Sequence, residues 1–392
     1  MHTRPHLLSV LLGAAFLMAT SAIGPGFLTQ TTLFTGQLGA SFGFAILLSI
    51  LLDLGAQLNL WRIVALYQAS APEIADRVWA GGGTVLALLV AFGGLAFNIG
   101  NVAGAGLGLQ VLTGLEPRLG AVISAAVAVG VLGAPKAGNG LDRFTQVLGI
   151  LMIVFTAWIA IDARPPIGDA LRFSIWPEKI NLLAVVTLVG GTVGGYISFA
   201  GAHRLLDAGL ARPDRLAAVN RSAGTAIGLA SLMRILLFLA ALGVVTQGHI
   251  PDPGNPAASV FSFAAGEVGY RLFGLVLWSA AITSVTGSAY TSLSFLKRAF
   301  PVLNDWENPA LLGFIAVSVG IFVLAGKPVT LLVVAGALNG MILPVALGMM
   351  LHAVRPSVQP AYPPLLRVAG WGVAVVMAVF SGVTWWEWIT GL

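Results

Sequence analysis

Two glycine-rich interruptions break long apolar runs in this chain, Ile23-Gly24-Pro25-Gly26-Phe27 near the start and Gly190-Gly191-Thr192-Val193-Gly194-Gly195-Tyr196 near the middle. Backbone released from helical hydrogen bonding is tolerated at membrane depth only where it is buried in protein or lines a cavity. A matched pair of broken helices therefore points to a substrate site near the bilayer midplane, the arrangement of a transporter. Hydrophobic residues make up 57% of the chain and charged residues 9%, so the solvent is lipid.

An apolar helix of about 20 residues crosses a bilayer, and about eleven such segments can be drawn. They run Leu7 to Gly36, Phe42 to Tyr67, Thr84 to Leu115, Leu119 to Pro135, Phe144 to Ile161, Ile180 to Leu206, Ser222 to Thr246, Ala264 to Leu296, Ala310 to Ala325, Val329 to Ala353 and Leu366 to Ile389. No period-2 alternation supports strands, so the chain reads as one all-α integral membrane domain over 1–392. Spans one to five (about 7–165) and six to ten (about 178–355) each open on a broken helix. Five is odd, so the second set inserts upside down: a 5+5 inverted repeat, with helix 11 (about 366–389) peripheral.

With the N-terminus inside, Arg62, Arg77, Arg204, Arg212, Arg215, Lys297 and Arg298 gather on one side with most of the other basic residues, while Arg118, Arg271 and Lys327 are among the few opposite. The positive-inside rule then places the N-terminus in the cytoplasm and the C-terminus outside a plasma (inner) membrane. The net charge of +5 is thus a topological signal, and no nucleic-acid-binding pattern accompanies it. Arg4 and Ala19-Thr20-Ser21-Ala22 resemble a signal peptide, but the apolar run continues to Gly36, which favours a first half-helix. Cysteine is absent, which removes disulfides and thiolate ligands.

Further stretches carry a family resemblance: Asn98-Ile99-Gly100-Asn101 through Leu112, Lys136-Ala137-Gly138-Asn139-Gly140-Leu141-Asp142-Arg143, Gly190-Gly191-Thr192-Val193, Ser279 through Gly287, and Leu343-Pro344. With Gly24-Pro25-Gly26 they match, in order and spacing, the NRAMP divalent-metal transporters. The resemblance spans most of the chain and implies a LeuT-type bundle, alternating access and proton-coupled metal ion transport. It also implies where this chain departs. The family's first break carries Asp-Pro-Gly-Asn and its sixth-helix break Met-Pro-His, whereas Gly24-Pro25-Gly26-Phe27 and Gly194-Gly195-Tyr196 stand here. Asn101 replaces an acidic residue, and the family's tenth-helix glutamine would fall near Gly336. Asp252-Pro253-Gly254-Asn255 spells the metal motif but lies in a Pro/Gly-rich loop, an ordinary turn signal.

A divalent cation needs donors that replace its water, and these breaks offer it no metal-ligating side chain. Their free N–H groups suit a carboxylate instead, with Gln30, Thr31, Thr32, Tyr196 and Ser198 as neutral hydrogen-bonding candidates. The substrate-binding set is therefore Gly24, Pro25, Gly26, Phe27, Gln30, Thr31, Gly191, Thr192, Gly194, Gly195, Tyr196 and Ser198. Asp53 and Arg234 are isolated charges inside spans, each costing about 2.5 to 3.5 kcal/mol; they read as a structural pair, or as a proton carrier and an anion contact. His203 reads as a proton acceptor or a plain loop residue, and Asn98 and Asn101 as interhelical glue or a coupling site.

No catalytic constellation and no cofactor motif is present. The chain is expected to be a secondary active transporter whose partners are the lipid bilayer, a small solute (a divalent cation, Mg2+ included, or a small organic anion such as 5-oxoproline) and a coupling proton. The alternative is a receptor of the same fold that binds without transporting.

Overall fold

The structure, a computed structural model, describes residues 23–133, 135–354 and 362–391. The opening half of the first span, with Arg4 and the signal-like stretch, lies outside the described residues, as do the side chains of Lys136 through Arg143. Among the described residues all regular structure is helical.

The first half begins with α1 (Pro25–Leu38), linked by a 3-10 turn to α2 (Phe42–Tyr67) and followed by the short α3 (Ala71–Asp76). Next come α4 (Gly82–Thr113), α5 (Pro117–Leu132), α6 (Pro135–Asp162) and α7 (Ile167–Ile175). The second half holds α8 (Leu182–Thr192), α9 (Tyr196–Asp207), α10 (Leu216–Thr246), α11 (Pro256–Ala299), α12 (Glu307–Ala325), α13 (Pro328–Ala353) and α14 (Pro364–Thr390). Local chemistry sets many of these ends. Proline opens α1, α5, α11, α13 and α14, where its missing N–H costs nothing. Asn181 caps α8 by accepting from the Ala184 N–H at 2.9 Å.

Among the described residues eight stretches are long and apolar enough to cross a membrane, α1 with α2 and α8 with α9 each counting as one, and nine if α6 and α7, bent by 106°, are taken together. The sixteen-residue α5 is apolar but shorter. Within the described residues each sequence-drawn span falls on helical structure. The differences lie at the ends: α11 begins at Pro256 rather than Ala264, because Asn255 caps it and the chain survives a kink at Ala265 and Gly266. A separate α7 follows the Pro165-Pro166 pair, bending away from α6.

α11 runs along α4, α13 packs on both α4 and α8, and α10 packs on α2. Leu51, Val147, Val154, Ile161, Val375 and Leu365 are exposed, as befits side chains that face acyl chains. At one end of the bundle Arg298 Nη2 donates to Asp76 Oδ2 at 2.9 Å, and the Gly83 N–H donates to Asp76 Oδ1 at 2.8 Å. The Arg298 bond, aided by the Gly83 N–H, holds the Asp76 carboxyl below its ordinary range. A depressed carboxylate stabilises the fold above its unfolded pKa and loses that contribution as pH falls through the folded one. The melting-temperature gap between the wild type and Asp76→Asn should therefore stay constant from neutrality down to about pH 5 and shrink only below about pH 4. A gap that closes near neutrality would contradict the pairing.

Candidate functional site

Where the first break is expected, Gly24 is extended (φ −94°, ψ −174°) and Pro25 starts α1, the residues before Ile23 lying outside those described. The second lies between α8 and α9, where Gly195 holds φ 51° and ψ −117° at the N-cap of α9. A side chain there would be strained, and its Cβ would stand 1.6 Å from Asn339 Oδ1. One turn earlier, a Cβ on Gly190 would stand 1.9 Å from the Gly336 carbonyl oxygen and 2.3 Å from the Gly340 nitrogen. The backbone of α8 thus lies directly on that of α13.

Polar atoms converge around this contact. Gln30 Nε2 donates to the Leu332 carbonyl at 2.8 Å, which ties α1 to α13, while Gln30 Oε1 is buried without a partner. Thr31 Oγ1 and Thr187 Oγ1 are likewise buried and unpartnered. Three buried polar groups without a protein partner are costly unless something else binds them. Tyr196 stands edge-on to Phe97 with ring centroids 5.4 Å apart. The Ser198 hydroxyl lies 2.7 Å from Gln57 Oε1 and 2.9 Å from the Val193 carbonyl, which braces the break against α2.

Beside the breaks sits a buried ion pair. Arg234 Nη1 of α10 is 3.7 Å from Asp53 Oδ2 of α2, and both side chains are 1% exposed. The guanidinium also donates to Ser49 Oγ at 3.2 Å and to Thr192 Oγ1 at 2.6 Å. Its Cζ stands 4.6 Å from the centre of the Phe27 ring, a cation–π distance. Arg234 therefore touches Phe27 at the first break and Thr192 at the second.

The remaining expected residues fall elsewhere. Asn98 Nδ2 donates to Ser318 Oγ at 3.1 Å and Asn98 Oδ1 accepts from Ser288 at 2.9 Å, joining α4, α12 and α11. Asn101 is buried with Nδ2 unpartnered. His203 is away from the break: its ring stacks on Phe295 at 4.7 Å and its Nε2 accepts the Ala71 N–H at 3.4 Å. Asn339, which the sequence reading overlooked, donates to the Gly93 carbonyl at 3.0 Å and turns a free Oδ1 toward Gly195. Its one sequence signal is an amide inside an otherwise apolar span, three residues beyond Gly336.

A cavity of about 590 Å³ opens at one end of the bundle, lined by Gln110, Asp252, Asn255, Tyr270, Lys327 and Leu107 among others. Leu107 also belongs to the apolar cluster that contains Phe27, Leu28 and Leu332. Asp252-Pro253-Gly254-Asn255 forms part of the rim. Asp252 Oδ1 accepts the Gly254 N–H at 2.9 Å and Asn255 Oδ1 accepts the Ala258 N–H at 3.3 Å, the turn and cap that its sequence context suggests. Among the described residues no group of three or more His, Asp or Glu side chains is placed to hold a metal ion.

A family model described as natural resistance-associated macrophage protein-like matches residues 15–387. The chain is 54% identical over 376 residues to the membrane protein YcsG of Bacillus subtilis, covering 95% of this chain and 93% of that one. It is 27% identical over 296 residues to the divalent metal cation transporter MntH of Aeromonas hydrophila, covering 70% of each. The fold is shared with a manganese transporter of Eremococcus coleocola, at TM-score 0.74 and 15% identity, over 98% of this chain and 87% of that one.

Proposed function

The chain belongs to the natural resistance-associated macrophage protein-like (Nramp) family, and from that premise we propose that it is a secondary active transporter that moves a metal ion across the membrane by alternating access, driven by protons. The observation that carries this reading is the break between α8 and α9 packed against α13, with Gln30 Oε1 of α1 buried and unpartnered against Gly191. Neutral oxygens of this kind suit a hard cation that keeps part of its water, such as Mg2+, better than a soft one. The relatives named for manganese or divalent cations support the class of cargo. We place the N-terminus in the cytoplasm of a cell membrane on the charge asymmetry. The reading assigns no catalytic residue.

A second cargo, a small organic anion, is favoured by Arg234, whose guanidinium contacts both breaks where no cluster of acidic residues stands among those described. Thermal stabilisation of the purified protein across Mn2+, Mg2+ and a panel of small carboxylates and amino acids separates the two, since a ligand of the native state raises its apparent stability. Uptake of the stabilising solute into proteoliposomes then tests movement. Saturable stabilisation by a divalent cation, with proton-driven uptake, is the expected outcome. Stabilisation by carboxylates alone would replace the metal reading with the organic one, and binding without uptake would make the protein a receptor.

A further inference from the structure

We propose that Asp53 is the residue that binds and releases the coupling proton, and that Arg234 transmits its change of charge to both broken helices. The inference rests on the transporter reading for its purpose, though not for its chemistry.

Asp53 is completely buried, and neither carboxylate oxygen has a hydrogen-bond partner. An ionised carboxylate can accept several hydrogen bonds, and burying one without them is stable only when a counter-ion is close or a proton neutralises it. Arg234 at 3.7 Å is a partner beyond hydrogen-bonding range. Thr192 stands beside Asp53, and its hydroxyl, which accepts from Arg234, can turn its single proton either to the carboxylate or to the Leu188 carbonyl at 2.8 Å, so it offers Asp53 one bond at most. The carboxylate is therefore poised between two states, ionised against Arg234 or neutral with a proton on Oδ.

Arg234 does not depend on Asp53 to stay in place. It is held by Ser49 and Thr192 through hydrogen bonds and by the Phe27 ring through its π face. Protonating Asp53 leaves an uncompensated guanidinium against Thr192, the last residue of α8, and against Phe27, the third residue of α1. One proton thus changes the electrostatics of both breaks by one full charge. Among the described residues the charged group that faces Asp53 is Arg234 of α10, with Thr192 of α8 and Ser49 of α2 on the guanidinium. On α9, Tyr196 and His203 face Phe97 and Phe295. Asp53 and Arg234 are the buried charged residues among those described. The step balances simply: a proton from water on one side binds Asp53 Oδ, and the same proton leaves to water on the other.

The experiment is difference infrared spectroscopy of the protein in lipid bilayers between about pH 5 and about pH 9, a window above the range in which exposed carboxylates titrate. A protonated-carboxyl C=O band that grows as the pH falls, moves on isotopic labelling of aspartate and vanishes in Asp53→Asn is expected. Should Asp53→Asn not fold, the Asp53→Asn/Arg234→Gln double variant, which removes both charges together, takes its place. A spectrum without a titrating band, or one whose band survives loss of Asp53, would overturn the proposal. Proteoliposome uptake of Mg2+ and Mn2+, each measured separately, supplies the second readout: the pH dependence of whichever is carried should be lost in Asp53→Asn. A wild type that shows the band yet moves no cargo refutes transport alone, whereas one that transports without the band refutes the proton site alone.

Discussion

Gly190→Ala is expected to destabilise the protein by about 3 kcal/mol and to abolish transport, although it adds a single methyl group. The added carbon would lie 1.9 Å from the Gly336 carbonyl oxygen and 2.3 Å from the Gly340 nitrogen, backbone atoms that cannot turn aside as a side chain could. Relief requires α13 to withdraw from α8. That withdrawal would disturb the Leu332 carbonyl that anchors Gln30 and the Asn339 amide that abuts Gly195. Gly130→Ala on α5 is the matched control, because nothing stands within 4 Å of its Cβ position. Alanine is the better helix former, so the control should melt no lower than the wild type. A Gly190→Ala protein with wild-type melting temperature and uptake would show that the two helices do not meet as described.

The second large effect belongs to Arg234. Truncation to alanine leaves Asp53 buried without its counter-ion, and breaking a buried pair from one side costs about 3 to 5 kcal/mol. The loss of bonds to Ser49 and Thr192 and of the contact with Phe27 falls in the same step. Removing both charges in Asp53→Asn/Arg234→Gln should recover most of that stability, and the double-mutant cycle measures the coupling between the two sites. Exchanging the two residues asks the complementary question. Restored folding together with restored transport would make the pair a brace and nothing more, while restored folding without transport would mark the positions as functional.

The sequence exposed the frame of this site better than its contents. Gly194-Gly195 between two apolar runs marks the break that the structure places between α8 and α9, and α2 spans the same Phe42 to Tyr67 that its hydropathy outlines. Asp53 and Arg234 stood out because an isolated charge in a span is costly, and such cost directs attention to a partner. Neutral amides give no comparable signal. Gln57 and Asn339 are each an ordinary polar residue in an apolar helix until rotation about the helix axis decides what they face, and that rotation is set by packing against neighbours. Glycine is similarly silent: Gly190 and Gly130 look alike in the sequence, yet one lies on backbone and the other in open space. The start of α11 was drawn late because Ala265 and Gly266 interrupt the pattern, while the true start rests on Asn255 and Pro256 inside a stretch that reads as a turn.

The cavity at the end of the bundle shares a wall with an apolar cluster. Its lining sets Asp252, Lys327 and Tyr270 beside Leu107, and Leu107 packs in one cluster with Phe27 and Leu332. A compound shaped to fill the 590 Å³ is therefore expected to press on the cluster that holds Phe27, and so to act as a stopper that raises the melting temperature of the carrier while it stays bound.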